Sequence, residues 1–533
     1  MAAVTISADA RQDPRRWWAL GALVASMLVL GFDMTILNVA LPTMAARLGA
    51  STGEQQWMAD AYVVVFAALM LPAGLLGDRF GRRRMLMAGL GIFLAGSLLG
   101  TLADDVSLVV VARAVMGMGG ALVMPLAMAV LPALFEPGER TRAVGIVSAA
   151  SALGAPLGPI IGGWLLDHFW WGSIFLINIP MAAIGIAACL FLLPETRDPA
   201  SPRVDAVSTA LTAAGLGGLI FGIIEAPGRG WGDPLVLGTL AGGAVSLTAL
   251  VLRERRMTRP MLDLPLLRDR AFFLNAMAAT LVMFVLSGLM FVLPQYLQAI
   301  LGNDAFGTGL RMLPMMGGLL VAAKGAEPVV RRFGARAVIS GGLVVLAFAA
   351  ILGSRTGIDS GYGFTALWLS VAGLGFGFAV VPSMDSALGA LPVERAGSGS
   401  GLLMTVRQVG SALGIALLGS LLAAAYTDRL DTEGLPGPAA DAAGDSVVAA
   451  HGIAERLGVP GLVASADSAY LAGMSLVLLV SGVAALVTAL CVAALLPGRG
   501  PAGDGQKTAD GGQGTVGGRQ VTAEGGAVGD GRQ

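Results

Sequence analysis

The chain has 533 residues, of which 55% are hydrophobic and only 13% are charged. Soluble domains carry about 25% charged residues, so this composition excludes an ordinary soluble protein. The formal net charge is −1, which gives no basic field for binding nucleic acid.

Apolar segments of about 20 residues recur along the chain, as expected of helices that cross a bilayer. The alternating pattern of a membrane β-barrel is absent, so the predicted fold is an all-α polytopic membrane protein. The first apolar run continues to Leu41 without a cleavage site, which indicates an uncleaved span rather than a signal peptide. The predicted spans are 17–42, 56–77, 84–103, 107–134, 142–166, 173–193, 206–225, 235–252, 272–300, 307–328, 336–352, 362–390, 399–426 and 470–496.

The arginines between these spans are distributed unequally. With the N-terminus in the cytoplasm, twenty-one arginines fall in cytoplasmic segments and five in external ones. This bias predicts that both termini are cytoplasmic. With two lysines against 32 arginines and abundant Ala and Gly, the composition suggests a GC-rich genome and hence a bacterial plasma membrane. The polar stretch at about 427–469 is then external, and residues 497–533 form a tail too poor in apolar residues to fold.

Three short segments recur at offsets of 253, 255 and 260 residues: 78–83 at 331–336, Glu139-Arg140 at Glu394-Arg395, and 151–154 at 411–414. A near-constant offset indicates two parallel six-helix bundles, with two additional helices between them. We therefore expect a cytoplasmic N-terminus at 1–16, a first bundle at 17–193, linker helices at 206–252 and a second bundle at 272–496.

Two carboxylates lie within the first two predicted spans. Ionisable groups inside a membrane are costly and mark functional sites by default. Asp33 and Asp60 fall at similar depth from the same side, which predicts that they share one cavity. Proton chemistry would fall to these carboxylates, because the only histidines, His168 and His451, lie in loops.

The hairpin between the second and third spans combines glycines with charged residues, at Gly74, Asp78, Arg79, Gly81 and Arg82. Glycines permit a tight turn, and the charges can bond neighbouring helix ends and so latch one conformation. A simpler interpretation is a positive anchor alone, but it does not explain Asp78 or the glycines.

The fourth span contains Arg113, which we interpret as a proton-relay or pairing cation, or else as part of a structural ion pair. The fifth span carries closely spaced small residues and two prolines, at Gly154, Pro156, Gly158, Pro159, Gly162 and Gly163. Small residues allow close helix packing, and each proline removes a helix hydrogen bond. This pattern predicts a gating element, with a purely structural kink as the alternative.

The second half contributes two further charged residues to the predicted spans, Asp385 and Arg407. Asp385 has no acidic counterpart in the first half, so it is either specific to the substrate or a helix-end residue. Arg407 is a candidate for proton coupling or substrate binding.

Together these segments resemble the major facilitator superfamily, specifically its fourteen-span drug:proton antiporter branch, over about residues 15–496. The resemblance lies in 33–42, in the hairpin 74–84, in 154–163, which looks like the branch's antiporter motif, and in 295–298 and 407–408. Segment 57–62 is similar to members that export organic cations. Met116 stands where a glutamine is common, which leaves the polar partner of Arg113 open.

The resemblance implies proton-coupled efflux of small amphipathic drugs, cations among them, by alternating access. Asp33 and Asp60 would take up protons from outside as the drug is released. The alternatives are export of one endogenous metabolite, proton symport, or a membrane sensor that does not transport.

Neither an enzyme nor a cofactor is expected. The chain has no glycine-rich phosphate loop ending in Lys and Ser or Thr, so the proton gradient would supply the energy. Cys189 and Cys491 both lie in apolar runs, as buried small residues do, and no metal site is predicted. We expect a monomer.

Overall fold

A computed structural model describes residues 16–135, 137–197, 205–257, 260, 262–391 and 396–496. The predicted N-terminal segment up to residue 15, the tail 497–533 and the repeated pair Glu394-Arg395 lie outside the described residues. Within the described ranges the chain forms helices and connecting turns, with no strand.

The first bundle contains seven helices that make six membrane crossings. They are α1 Arg16–Leu48, α2 Thr52–Phe80, α3 Arg82–Thr101, α4 Val106–Leu134, α5 Pro137–His168, and α6 Ser173–Leu176 followed directly by α7 Asn178–Leu192, which share the sixth crossing.

Two linker helices follow, α8 Ala206–Arg229 and α9 Pro234–Arg256, and they pack on each other. Asp205 caps α8 and forms an ion pair with Arg253 near the end of α9, with 2.8 Å between Oδ2 and Nε. The hydrogen bond from Arg253 lowers the pKa of Asp205 to about 2. This pair joins the two linker helices at their basic end.

The second bundle contains α10 Arg270–Gln295, which continues into a π-helical turn at Tyr296–Ile300, then α11 Ala305–Phe333, α12 Ala335–Gly353, α13 Tyr362–Gly389, α14 Ala396–Arg429 and α17 Pro460–Leu495. Two short helices, α15 Gly437–Asp445 and α16 Val447–Leu457, lie between α14 and α17, in the stretch predicted to be external.

The helix starts follow from local sequence. Aspartates at 105, 205, 233, 269 and 304 each cap a long helix by accepting a backbone N–H in its first turn. Ser51 and Glu54 form a reciprocal capping box at the start of α2. The polar residues that punctuate the apolar runs therefore define where the spans begin.

Thirteen of the described helical segments are long and apolar enough to cross a membrane. Helix α5, with 32 residues, is a further long helix and brings the number to fourteen. Its first turns are charged. The predicted all-α fold with about fourteen spanning helices is confirmed.

The duplication is visible in the helix packing. In the first bundle α1 packs on α5, α2 on α4, and α3 on α4; in the second, α10 packs on α14, α11 on α13, and α12 on α13. The bundles meet through α2 with α14 and α5 with α11, which are equivalent pairs under the repeat. Gly81 and Gly334 end equivalent helices at φ 112° and 82°, a conformation that favours glycine.

Candidate functional site

A buried ion pair connects α1 and α4. Arg113 Nη1 donates to Asp33 Oδ2 at 2.8 Å, and the two side chains are only 3% and 1% exposed. Asn178, the first residue of α7, donates its amide to Asp33 Oδ1 at 2.9 Å. Both oxygens of the Asp33 carboxylate therefore have a donor, as a buried charge requires.

Arg113 is fixed on its other sides by α2. Its Nε donates to the carbonyl of Met58 at 3.3 Å, and its guanidinium lies 4.5 Å from the centre of the Tyr62 ring. A cation over an aromatic face is stabilised by the ring quadrupole. Met116 is buried in the same helix, and Asp33 is the polar side chain that Arg113 binds instead.

Asp60 is also completely buried, but its surroundings differ from those of Asp33. Neither of its carboxyl oxygens has a hydrogen-bond partner in the described part of the chain. An unpaired carboxylate in such a place would be costly, whereas a neutral acid is tolerated. The two aspartates therefore occupy distinct environments, one paired and one isolated.

A cavity of about 260 Å³ lies between the bundles. Side chains of both bundles line it, among them Asn38 and Arg113 from the first and Ser411 and Arg407 from the second. Neither Asp33 nor Asp60 is on its wall, although Ala59 and Val63 beside Asp60 are. The predicted common cavity is thus not seen in this conformation, because Arg113 and Asn178 hold the Asp33 carboxylate.

Arg407 lines this cavity and has no carboxylate partner among the described residues. Its nearest acceptors are methionine sulfurs: Nη1 lies 3.1 Å from Sδ of Met384 and 3.3 Å from Sδ of Met404. Asp385, in contrast, is exposed near the end of α13 and does not line the cavity. In the part of the second bundle that the structure describes, Arg407 is therefore the one charged residue on the cavity wall.

The glycines of α5 lie where that helix crosses α1 and α11. A Cβ added at Gly154 would lie 2.6 Å from Gly31 on α1, one at Gly158 would lie 2.0 Å from Thr35, and one at Gly162 would lie 2.3 Å from Ile36 of the same helix. Gly163 faces the other bundle, and a Cβ there would lie 2.4 Å from the carbonyl oxygen of Ala305.

The prolines of this motif contribute differently. Pro159 is buried, and its carbonyl oxygen lies 2.3 Å from where a Cβ on Gly309 of α11 would be. Pro156 is half-buried in the middle of α5. The motif thus sits at a contact between the bundles as well as at the α1 interface.

The hairpin residues contact the first bundle. Arg82 binds Asp78 Oδ1 at 2.7 Å and donates to the carbonyl of Ala129 at the end of α4 at 2.8 Å. The backbone N–H of Arg82 donates to Thr196 at 2.8 Å. Gly81 is buried against Glu195, whereas Arg79 is exposed and Gly74 has no atom within 4 Å of an added Cβ. The hairpin therefore contacts α4 near its end and the residues that follow α7.

Hydrogen bonds join the two bundles near the opposite end. Gln56 Nε2 donates to the carbonyls of Ile415 and Ala416 at 3.0 and 2.9 Å, and Gln298 donates to Val39 at 2.8 Å. Asp167 of α5 accepts the first two backbone N–H groups of α11, at 3.2 and 3.0 Å. An acid at a helix N-terminus is favourable, so these contacts close this end of the molecule.

A second cavity, of about 550 Å³, lies at the closed end between α2, α8 and α15. Four acids line it: Glu54, Glu225, Asp441 and Asp445. Burial raises the pKa of Asp445, and the nearby charges of Glu54 and Asp441 raise it further. This cavity is negative, in contrast to the central one.

Comparison with known proteins identifies the architecture. Residues 23–415, more than half of the chain, match the Major Facilitator Superfamily. The chain belongs to this superfamily. As a facilitator superfamily member it is a membrane transporter and not an enzyme.

Two relatives come from one bacterial genus, Streptomyces. The chain is 33% identical over 488 residues to the tetracenomycin C resistance and export protein of Streptomyces glaucescens, covering 89% of this chain and 90% of that protein. It is 34% identical over 445 residues to the puromycin resistance protein pur8 of Streptomyces alboniger, covering 81% and 88%. These similarities support drug efflux.

A solved structure shows the same superfamily fold. A bacterial homologue of the human lysosomal transporter Spinster, in an inward-facing and unoccupied conformation, superimposes with a TM-score of 0.64 at 18% identity. The match covers 90% of this chain and 97% of that chain.

Three residues of the site are not predicted from the sequence: Asn178, Gln56 and Tyr62. Asn178 ends a Phe-Leu-Ile-Asn segment, and a lone amide at the start of an apolar run is a signal for it. Gln56 precedes Asp60 by four residues, and a polar residue one helical turn from a buried acid is the corresponding signal. Tyr62, two residues after Asp60, has no such signal.

Proposed function

We propose that this protein exports small amphipathic, antibiotic-like molecules across the bacterial plasma membrane in exchange for protons. The observation that carries the proposal is the buried Asp33, Arg113 and Asn178 cluster, whose Arg113 forms part of the wall of a cavity between two bundles. A buried carboxylate with a cavity-lining partner links a protonation site to the cargo site.

Asp33 is the proposed proton-coupling group. When it is ionised, it fixes Arg113; when a proton neutralises it, the ion pair is lost and Arg113 is free to move in the cavity wall. A change in one protonation state thereby changes the conformation of the cavity wall. Asp60 is a second proposed proton site, since its isolation favours the neutral acid in this conformation.

Alternating access would supply the transport step. The contacts of Gln56, Gln298 and Asp167 close one end, and these few hydrogen bonds must break for the cavity to open there. If the basic hairpin is cytoplasmic, the closed end faces outside, and cargo enters from the cytoplasm. The close contact of α5 with α1 and α11 is the proposed pivot.

The charge of the cargo depends on which side chains line the cavity, and not only on which charged residues lie in the spans. The preference for cations suggested by the sequence depends on Asp60, whose carboxylate is not on the cavity wall. We therefore do not extend the proposal to cationic cargo.

The proposal includes a topology that labelling can check. In a chain with both cysteines replaced by alanine, Glu433→Cys in the turn after α14 should react with a membrane-impermeant maleimide in intact cells. Arg84→Cys in the basic hairpin should react only after permeabilisation, because positive loops stay in the cytoplasm. Labelling of Arg84→Cys in intact cells would reverse the orientation and the direction of the proposed export.

Replacing Asp60 by Asn should preserve folding and reduce coupling. The amide is close in shape to the neutral acid, so we expect an unchanged amount of protein in the membrane. Loss of one proton per cycle should lower the cargo gradient reached in proteoliposomes by about tenfold for each pH unit imposed. An unaltered dependence of the cargo gradient on the pH gradient would exclude Asp60 as a coupling site.

Direction of flux separates this proposal from its rivals. In everted vesicles, acidification of the lumen should drive cargo into the vesicles, and collapse of the pH gradient should release it. Movement of cargo together with protons would indicate a symporter. The absence of gradient-driven flux for a chemically diverse panel, with correctly folded protein, would favour a sensor.

A further inference from the structure

The guanidinium of Arg407 has hydrogen-bond donors that the protein does not satisfy. Its Nη atoms contact the sulfurs of Met384, Met404 and Met283 at 3.1, 3.3 and 3.5 Å, and thioethers are weak acceptors. Its Nε is buried and has no hydrogen-bond partner in the described part of the chain. Within the described ranges, no carboxylate lies within ion-pair distance of Arg407.

The neighbouring residue has the same deficit. Gln408 also lines the central cavity, and its buried Nε2 has no hydrogen-bond partner in the described structure. A buried donor without an acceptor costs free energy that a ligand can recover by supplying one. Two adjacent residues that line the cavity therefore each carry a buried donor without a partner among the described residues.

The cavity wall carries a net positive charge, which also favours an anionic ligand. Among the described residues its two charged side chains are Arg113, which Asp33 neutralises, and Arg407, which has no counter-charge there. None of the residues that line it in the described structure is acidic. A cation would meet an unpaired positive charge there, whereas an anion would neutralise it.

The remaining surface indicates the shape of the occupant. Six methionines line the cavity: Met34, Met70, Met124, Met283, Met290 and Met404. Methionine side chains adapt to different outlines, and their sulfurs make favourable contacts with aromatic rings. A flat aromatic body is therefore well matched to these walls.

We infer that Arg407 and Gln408 bind an anionic oxygen, a carboxylate or an ionised phenol, of an aromatic cargo in the central cavity. This rests on the proposed export function and specifies its substrate class. A bidentate carboxylate fits a guanidinium and is bound by charge-assisted hydrogen bonds. Because this recognition uses no titrating carboxyl of the transporter, coupling to protons must act through the change in conformation.

Binding to purified full-length protein tests the inference with three probes of similar size and ring system whose substituents are anionic, neutral and cationic. They are anthraquinone-2-carboxylate, its neutral carboxamide and cationic 2-(aminomethyl)anthraquinone. The carboxylate should bind at least about tenfold tighter than either analogue. Arg407→Met, which suits the methionine surroundings, should remove this preference with little change for the carboxamide, and Arg407→Lys should retain part of it.

The matched control is Arg311→Met, which removes another half-buried arginine of the second bundle that does not line the cavity. It should leave all three affinities unchanged. Equal or tighter binding of the carboxamide or the amine by wild type, or failure of all three to bind, would overturn the inference.

Gradient-driven flux in proteoliposomes distinguishes this failure from failure of the proposed function. Flux of other cargo without selective carboxylate binding overturns only the anion site. Selective, Arg407-dependent binding without flux of any cargo supports the site and overturns export.

Discussion

Asp33→Asn should abolish proton-driven efflux of every cargo, a loss of at least about a hundredfold to the background rate. An amide does not bind or release a proton at physiological pH, so the proposed coupling group is lost. The same change leaves Arg113 buried without a counter-charge, and breaking such a pair costs about 3–5 kcal/mol of stability. Efflux and the amount of folded protein must therefore be measured together.

A double variant separates these two effects. Asp33→Asn combined with Arg113→Gln removes both charges, so it should recover folded protein while efflux stays absent. The matched control is Asp205→Asn, which breaks an ion pair between the linker helices and outside the bundles. That variant should keep coupled efflux near the wild-type rate.

The direct readout is proton release when cargo is added to purified protein. Antiport requires that protonation weakens cargo binding, and linkage then requires that cargo binding releases protons. Wild type should release protons and Asp33→Asn should not. Proton release and efflux at wild-type levels in Asp33→Asn would show that coupling resides elsewhere.

The sequence is sufficient for the helical fold because the determining signals are local. Apolar runs specify the spans, aspartates specify many of the helix starts, and Gly81 and Gly334 mark equivalent turns of the repeat. These features depend on neighbouring residues, so no knowledge of the packing is needed to identify them.

The partners within the site depend on contacts between distant helices. Asp33 meets Arg113 and Asn178 across 80 and 145 residues of sequence. Successive residues in a helix differ by about 100° in direction, so depth alone does not show which wall a side chain faces. This is why Asp33 and Asp60 match in depth but differ in environment.

Arg407 shows the same limit: the sequence identifies the residue but not its surroundings. Its charge within an apolar run indicates a functional candidate, but the sequence does not show whether an acid neutralises it. Only the packing of α10, α13 and α14 shows that methionines surround it. The sign of the cavity is therefore a property of the tertiary structure.

Gly158→Leu should stop export while the protein remains in the membrane. A Cβ at this position would lie 2.0 Å from Oγ1 of Thr35 and 2.9 Å from the carbonyl oxygen of Phe32, so α5 must move away from α1. Small residues allow this close approach, and overpacking typically costs about 1–3 kcal/mol. We expect that strain to separate the helices that the transport cycle moves against each other.

The matched control is Gly317→Leu, the same substitution in α11 at a glycine with no atom within 4 Å of an added Cβ. It should retain wild-type efflux. Gly158→Ala should give an intermediate rate, since it adds only the Cβ. Transport assays in proteoliposomes with equal amounts of each folded variant provide the comparison.

Substrate binding distinguishes a gating defect from loss of the cavity. Gly158 is not on the cavity wall, so Gly158→Leu should still bind cargo within about threefold of wild type while it fails to move it. Loss of binding would mean that α5 shapes the site itself. Wild-type efflux by Gly158→Leu would show that the close contact between α1 and α5 is dispensable for transport.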